Sequence, residues 1–428
     1  MKVALATLGC KVNHYETQAM QELFSAAGWE IAPFPETADV YVVNTCTVTK
    51  TGDLKSRQLV SRAHRANPDA LIVVCGCYAQ TAPKEALALP GVAAVIGTTG
   101  RAQIVERVQA LLESRAAGAQ AAPLCAVTQR IAQSFEPLCA VRDGRTRATL
   151  KIQDGCANYC SYCIIPYARG PVRSMPLKEV ARALNALAAE GYREVVLAGI
   201  HLASYGRDLG GCSLTDVIAL TASIDGLERV RLGSLEPKYV SESFIKLASE
   251  TPKLCRQFHL SLQSGSDAVL ARMNRRYTAA EYRAAAEALR AAMPDCALTT
   301  DVIAGFCGET EAEHRQTLAF CEEMAFARMH VFPYSVREGT RAASMPGQLD
   351  RSVKQARARE LIALGKTLST AFLRAQLGTV QQVLVESDGC GYTGNYVRVR
   401  TGGEEGALKR VRITRIDKEI AIGEELTQ

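Results

Sequence analysis

Three cysteines carry the sharpest chemical signal in this chain. Cys156, Cys160 and Cys163 stand in the run GCANYCSYC, separated by three and then two residues. That spacing lets one loop wrap three corners of a 4Fe–4S cube and leaves the fourth iron without a protein ligand. An open iron is what a catalytic cluster requires and an electron carrier does not. A zinc site would want a fourth ligand, and no His or Cys follows closely. A redox pair of Cys160 and Cys163 would leave Cys156 unexplained, and inert buried thiols rarely cluster so tightly. The spacing points to an iron–sulfur cluster.

A second set is dispersed. Cys10 in LGCKVNHYET, Cys46 in VVNTCTVT and Cys77 in VVCGCYAQ each stand at or just after the end of an expected strand. In a parallel sheet those strand ends gather at one edge, where thiols distant in sequence can meet. Three unrelated buried cysteines fit the same residues, and the pattern alone does not choose. Cys75 ends an apolar run and is expected to point inward. The other eight (Cys125, Cys139, Cys212, Cys255, Cys296, Cys307, Cys321 and Cys390) show no ligand spacing.

The elements that must position these residues follow from periodicity. Strand-like runs at 2–7, 40–44 and 71–75 alternate with helical patterns at 15–27 and 53–66, and a helix at 101–114 closes the unit. This predicts an α/β domain with a parallel sheet over 1–115. The stretch AAGAQAA loses periodicity ahead of Pro123, which places a linker at 116–145. Strand-like runs then recur at 149–152, 194–198, 229–232, 258–262, 298–303 and 330–332. Helical patterns at 177–190, 214–223, 241–249, 278–292 and 311–324 fill the gaps. Six βα units predict a partial (β/α)6 TIM-type barrel, with chemistry at the C-terminal strand ends. The cysteine loop follows the first of those strands. A long helix at 351–374 leads out of this region, which spans 146–375. Beyond it, alternating runs at 380–385, 396–401 and 408–416 with glycines at the turns predict a small all-β barrel over 376–428.

Composition narrows the class. The 428 residues suggest two to four domains. With 48% hydrophobic and 22% charged residues, disorder is excluded for most of the length. A net charge of +6 does not by itself demand a nucleic-acid partner. Fifteen cysteines cannot all be paired, and the N-terminus turns polar too early for a signal peptide. No run of eighteen apolar residues exists, so no membrane span is expected. The expected setting is a reducing cytoplasm, where clustered cysteines read as metal or cluster ligands before disulfides.

The segment LKIQDGCANYCSYCIIPYARGPVRS resembles the radical S-adenosylmethionine (SAM) enzymes and, among them, the methylthiotransferases; the resemblance extends over the whole chain. It implies that Cys156, Cys160 and Cys163 hold a catalytic 4Fe–4S cluster whose open iron takes the SAM amino and carboxylate groups. Tyr162 matches an aromatic position near the SAM adenine. LAGIHLASYG with Gly199, RLGSLEP with Ser234 and Glu236, HLSLQSGSDAVLARMNRRYT with Gln263 and TTDVIAGFCGET with Gly305 match further strand-to-loop transitions in order. They are the implied SAM contacts, with Glu236 suited to a ribose hydroxyl. Cys307 stands where the family usually carries proline. The same resemblance makes Cys10, Cys46 and Cys77 ligands of an auxiliary 4Fe–4S cluster, Cys77 being preferred to Cys75 for its Gly-Cys-Tyr-Ala-Gln context. The implied cofactors are two 4Fe–4S clusters and SAM, with an external electron donor and a sulfur source.

The C-terminal module resembles the TRAM domain, an RNA-binding β-barrel. Its GYTGNYVRVRT run interleaves Tyr392 and Tyr396 with Arg398 and Arg400, a mixture suited to unstacked bases and phosphates. Tyr396, Arg398 and Arg400 are the expected RNA contacts. From Thr379 onward there are seven Lys/Arg and eight Asp/Glu, so affinity must come from a one-sided arrangement. Basic residues also gather at Lys50, Lys55, Arg57, Arg62 and Arg65, and at Arg142, Arg145, Arg147, Lys151, Arg169 and Arg173 around the cysteine loop; such runs usually mean a solvated face.

The implied activity is methylthio transfer into the tRNA anticodon stem-loop by a monomeric enzyme. An adenine C–H bond is unactivated, so a radical from a cofactor is the plausible route, and the base must be splayed out to reach it. In the family, one SAM methylates a sulfur held at the auxiliary cluster, and a second yields the 5′-deoxyadenosyl radical that abstracts the substrate hydrogen. LGCKVNHYET and CIIPYARGPVRS look most like the group acting on C2 of N6-threonylcarbamoyladenosine at position 37. Isopentenyladenosine in tRNA, whose enzymes more often read GCQMN at the Cys10 site, and a ribosomal-protein aspartate are the alternative substrates. A non-catalytic iron–sulfur RNA-binding or electron-transfer protein is the alternative of another class, and SAM turnover separates it.

Overall fold

Strands buried at every position need cover on both faces, and the runs Val40–Thr45 and Leu71–Gly76 are of this kind. They form the centre of a six-stranded sheet in the computed structural model, which describes residues 1–118, 123–128, 131, 133–141 and 144–426. Its strands are β1 (Lys2–Thr7), β2 (Glu30–Ala32), β3 (Val40–Thr45), β4 (Leu71–Gly76), β5 (Val92–Ile96) and β6 (Leu124–Ala126), all parallel, in the order β2-β1-β3-β4-β5-β6. Helices α1 (Lys11–Ala26), α2 (Lys50–Ala66) and α3 (Cys77–Thr81) follow β1, β3 and β4.

The segment expected to be a linker corrects that expectation. Leu124–Ala126 pairs with β5 as an edge strand, Val95 standing opposite Cys125. Three residues are too short to show a period, so tertiary pairing rather than pattern makes this strand. Residues 119–122, 129–130, 132 and 142–143, Arg142 among them, lie outside the described residues.

The central region begins with β7 (Ala148–Lys151). It is followed by β8 (Gln153–Asp154), β9 (Arg173–Ser174), β10 (Glu194–Ala198), β11 (Arg229–Leu232), β12 (Ser234–Leu235), β13 (Gln257–Leu260), β14 (Ala297–Ala304) and β15 (Arg328–Pro333). Two parallel sheets, β7-β10-β11 and β12-β13-β14-β15, meet where one strand breaks at Gly233. The result is the expected six-position partial barrel, with β7 and β15 at its two unpaired edges. Strands β8 and β9 form a small antiparallel ribbon that closes the base of the cysteine loop. The apolar core fills the space between the strands and outer helices, from Leu150 and Leu197 to Phe258 and Leu298.

The helix Arg351–Arg374 leads into a closed barrel of β16 (Val380–Val385), β17 (Cys390–Thr393), β18 (Arg398–Arg400), β19 (Leu408–Asp417) and β20 (Ile420–Glu425). Val383, Val399, Val411, Ile413 and Ala421 fill its interior. Tyr396, expected to begin a strand, instead sits in a tight turn with φ of +67°.

Candidate functional site

The contiguous cysteines are held by a loop whose two limbs touch. Gly155 has a φ of +74°, and a Cβ there would lie 1.8 Å from the carbonyl oxygen of Pro171. Only glycine fits that position. The Cys156 amide donates to Gly170 O at 3.1 Å, and the Cys163 amide donates to Cys160 O at 2.9 Å. The Ser161 amide donates to Met273 O at 2.9 Å, and its carbonyl accepts from Ala342 N at 2.7 Å, so the loop is stitched to two other parts of the barrel. Arg275 Nη1 donates to Cys160 Sγ at 3.3 Å. Burial pushes the Cys156 thiol up to about 11 and the Cys163 thiol up to about 12. Both are protonated at neutral pH until a metal takes them, and loading must release protons.

The dispersed cysteines do meet. Cys10 follows β1, Cys46 follows β3 and Cys77 opens α3 after β4; these three strands are neighbours, and the order of connection reverses between β1 and β3. That reversal makes a crevice at the carboxyl ends. A Cβ on Gly9 would lie 3.1 Å from Cys46 Cβ and 3.2 Å from its Sγ, so the Cys10 loop packs directly on Cys46. Asn13 Nδ2 donates to Leu8 O at 2.7 Å and to Thr45 O at 2.9 Å, which pins the two loops together. Cys10 and Cys46 both act electrostatically on Cys77, whose thiol burial raises to about 11. Cys75 is fully buried on β4 among Val3, Leu5 and Ile96.

A buried ionic lattice joins the segments that carry the two thiol sets. Arg169, six residues after Cys163, donates from Nε to Cys77 Sγ at 3.2 Å. Its Nη1 meets Glu16 at 2.5 Å and Asp154 at 3.3 Å, and its Nη2 reaches Asn13. Glu16 also takes Arg101 at 2.5 Å and Lys151 at 2.7 Å, while Asp154 takes Lys151 at 2.6 Å and Arg173 at 3.2 Å. Arg101 further pairs with Glu136 at 2.9 Å. Burial alone would raise the Glu16 carboxyl, but Arg101, Arg169 and Lys151 overcome it and hold it at about 2. Asp154 is depressed in the same way, by Lys151 first and then Arg169 and Arg173. Of the cations in this lattice, Arg169 lies beside Cys77, and its guanidinium suits an anionic thiolate-bound cluster. Among the described residues no three His, Cys, Asp or Glu side chains converge tightly enough for one metal ion. A cube does not require that, because each iron takes one thiolate at a separate corner.

These contacts correct the expectation for the basic residues around the loop. Lys151, Arg169 and Arg173 are buried in the lattice and present nothing to a polyanion. Lys50, Lys55, Arg57, Arg62 and Arg65 do lie exposed along α2. Val48, Leu54, Tyr159 and Tyr167 are exposed apolar side chains on or beside the segments that carry the two thiol sets. Arg337, in the loop after β15, bridges to Asp53 and Thr47 and ties α2 to the partial barrel.

Of the predicted cofactor residues outside the loop, Glu236 alone hydrogen-bonds to it among the described residues. Asn158 Nδ2 donates to Glu236 at 2.8 Å, and His201 and Arg275 each stand 3.1 Å from the carboxylate. Burial opposes the charge, but the His201 hydrogen bond and the Arg275 charge hold the carboxyl at about 2. Gly199 packs on Gln153, whose amide donates to Asp154 O and Gly155 O and accepts from the His201 amide. Tyr162 meets Phe306 edge-on at 6.3 Å. Ser234 is exposed on β12; Gln263, with φ of +69°, bonds through its backbone to Asp301; the Gly305 amide donates to Glu309 at 3.0 Å. Sequence reasoning missed Glu16, Gln153, Asn158, His201 and Arg275. Glu16 carried a signal, since it shares a helix face with the buried Val12, Tyr15 and Ala19.

The C-terminal barrel docks on the amino-terminal ends of β10 and β11. Arg229 donates to Tyr392 O at 3.0 Å, and Arg231 to Thr393 O and Gly394 O at 3.1 Å. Tyr396 stacks on Tyr392 at 4.7 Å, with Arg147 and Arg231 over its ring at 5.6 and 4.7 Å. Its faces are therefore occupied within the protein, which corrects the expectation that it offers a platform to a base. Arg398 pairs with Asp388, and Arg400 is exposed.

Comparison with known proteins adds five findings. The description Radical SAM superfamily matches residues 150–321, and uncharacterized protein family UPF0004 matches residues 2–97. The chain is 42% identical over 96% of its length to the threonylcarbamoyladenosine tRNA methylthiotransferase MtaB of Bacillus subtilis, covering 92% of that protein. It is 36% identical over 89% of its length to the tRNA-2-methylthio-N(6)-dimethylallyladenosine synthase of Desulfosudis oleivorans, covering 82% of it. In fold it resembles the radical SAM methyltransferase TsrM from Kitasatospora setae, with a TM-score of 0.58 at 16% identity, covering 78% of this chain and 74% of that one.

Proposed function

This chain belongs to the radical SAM methylthiotransferase family, and from that premise we propose that it transfers a methylthio group to C2 of N6-threonylcarbamoyladenosine at position 37 of tRNA. The observation that carries this reading is the meeting of the two thiol sets at one interface, where Arg169 from the segment after Cys163 donates to Cys77. The names of relatives such as MtaB from Bacillus subtilis and Thermotoga maritima support the substrate.

SAM and 4Fe–4S clusters are the cofactors. In the proposed division of labour, Cys156, Cys160 and Cys163 hold the catalytic cluster and Cys10, Cys46 and Cys77 the auxiliary one. When bound, they supply reductive cleavage of SAM to a carbon radical and the sulfur that is transferred. The chain's own residues bind and orient. Glu236, fixed as an anion by Asn158, His201 and Arg275, is placed to accept from ribose hydroxyls. Tyr162 backs the adenine, and Gly199, Ser234, Gln263 and Gly305 shape the strand ends around it. The exposed apolar residues Tyr159, Tyr167 and Val48 give a splayed base a dry path between the two thiol sets. The cations of α2, with Arg398 and Arg400, take phosphates of the anticodon stem-loop. Residues 1–115, 146–375 and 376–428 act as the auxiliary-cluster, radical and RNA-holding parts of a cytoplasmic monomer that draws on an external electron donor and sulfur source. Among the described residues no helix is long and apolar enough to cross a membrane.

Nucleoside mass spectrometry of tRNA from a deletion strain tests the reading. The expected result is loss of 2-methylthio-N6-threonylcarbamoyladenosine with its precursor accumulating. Loss of the methylthiolated isopentenyl nucleoside instead would move the substrate to the alternative, and an unchanged tRNA profile would remove the enzyme assignment.

A further inference from the structure

Lys11 opens α1 directly after Cys10. Its side chain lines a cavity of about 350 Å³ together with Arg147, Thr149, Val196, Arg231 and Tyr396. Val196 on β10 stands in register with Thr149 on β7 and with Arg231 on β11, so these three form one row across the strands. All three face the cavity, which is therefore floored by the inner surface of the partial barrel. His330, on β15 at the far edge of the arc, lies within electrostatic reach of Lys11. The Lys11 side chain thus lies in a cavity bounded by Thr149 of one edge strand and within electrostatic reach of His330 on the other. Four residues of extended chain, about 13 Å, separate Thr149 from Gln153 under the cysteine loop.

The neighbouring cations are already matched. Arg147 pairs with Glu386 at 3.0 Å and lies over Tyr392 and Tyr396. Arg231 is held by Glu194 at 2.8 Å and by two carbonyls. Glu405 is engaged by Thr146 at 2.6 Å. Lys11 forms no hydrogen bond or ion pair among the described residues. Glu386 and Glu405 share the cavity lining but are engaged by Arg147 and Thr146. Lys11 thus has no carboxylate in bonding contact among the described residues, and an anion entering the barrel would give it one.

The substrate proposed above brings such an anion. A threonylcarbamoyl group ends in a carboxylate, which unmodified adenosine and its isopentenyl derivative do not carry. We propose that Lys11 is a specificity-determining residue that takes the carboxylate of the threonylcarbamoyl substituent while the adenine lies between the two thiol sets. This rests on the proposed function, which fixes the substituent. A phosphate of the RNA loop offers the same charge, and the experiment separates the two sources.

The test measures binding of the cluster-loaded enzyme to anticodon stem-loops, by fluorescence anisotropy, with iron content checked for every variant. Three loops are compared: one with N6-threonylcarbamoyladenosine at position 37, one with its methyl ester, and one with unmodified adenosine. The wild-type chain is expected to bind the first about tenfold more tightly than the other two, the range of a single desolvated charge pair. Lys11→Gln should bring all three to one affinity, and Lys11→Arg should keep the preference. A preference that survives Lys11→Gln, or a methyl ester bound as tightly as the free acid, overturns the proposal and leaves the proposed substrate standing. An equal loss for all three loops places Lys11 on a phosphate and also overturns it. A wild-type chain with no preference counts against the substrate itself.

Discussion

The two thiol sites receive the same kind of hydrogen bond in opposite surroundings. Arg275 donates to Cys160 at 3.3 Å and Arg169 donates to Cys77 at 3.2 Å. Arg275 also shares Glu236 with Asn158 and His201 at the mouth of the partial barrel, where a bound molecule can compete for that carboxylate. Arg169 is wholly buried, and its remaining donors are committed to Glu16, Asp154 and Asn13. The loop site takes all three thiols from one segment, shaped by one glycine and one ribbon and tied to the barrel at Met273 and Ala342. The dispersed site depends on strands of one sheet and on a cation from the next region of the chain. A cluster ligand set can thus be encoded in eight residues, or it can be a property of how two regions dock; the second kind is the more vulnerable.

The difference is broken most severely at Glu16. Glu16→Gln leaves Arg101, Arg169 and Lys151 short of their shared carboxylate. Removing one partner from a buried ionic group costs about 3–5 kcal/mol. Urea unfolding should register that loss, and iron analysis should find the auxiliary site depleted while the loop site keeps its iron. Equal depletion of both sites would show that the lattice does not distinguish them.

Acid should act in the same direction with smaller effect. Glu16 titrates at about 2 in the folded chain against 4.5 when unperturbed, and Asp154 is also depressed. The stability they contribute is complete above about pH 4.5 and drains away as pH falls toward 2. Hydrogen exchange across that window should open α1 and β7 before the core of the sheet. Opening of α1 on raising the pH instead would contradict the assignment.

The finest contrast comes from the two arginines. A lysine cannot reproduce the guanidinium fork. Each N–H···S bond favours the more negative, reduced cluster, so Arg169→Lys should lower only the auxiliary midpoint potential and Arg275→Lys only that of the loop cluster. Potentiometric EPR reads both. A shift at the wrong cluster would show that the contacts do not persist in the loaded protein.

The helices at Leu214–Ser223 and Glu311–Met324 were legible in full because each begins at a reciprocal cap, Ser213 with Asp216 and Thr310 with Glu313, and Arg351–Arg374 because it runs for 24 residues without proline. The edge strands β2 and β6 were not, since three residues show no period and are made by pairing. The contiguous cysteines were readable from spacing alone, as their geometry is local. The cation that completes the dispersed set was not, because Arg169 reaches Glu16 across 153 positions of sequence. Sequence also counts charges without showing which way they face. Lys151, Arg169 and Arg173 read as surface cations and are buried, and Tyr396 read as a base platform although Arg147 and Arg231 cover its ring. Cys307, in place of the usual proline, packs beside Phe306 and accepts from Gln348 Nε2 at 3.1 Å, a contact proline could not make.

The division of labour between the two sites is tested most directly by separating radical formation from product formation. With Cys10, Cys46 and Cys77 changed together to Ala, the chain should still form 5′-deoxyadenosine from SAM under reduction while producing no methylthiolated tRNA. With Cys156, Cys160 and Cys163 changed to Ala, it should do neither. Each variant should retain about four of the roughly eight irons of the reconstituted chain. Formation of 5′-deoxyadenosine by the second variant, or methylthiolated tRNA from the first, would contradict the account.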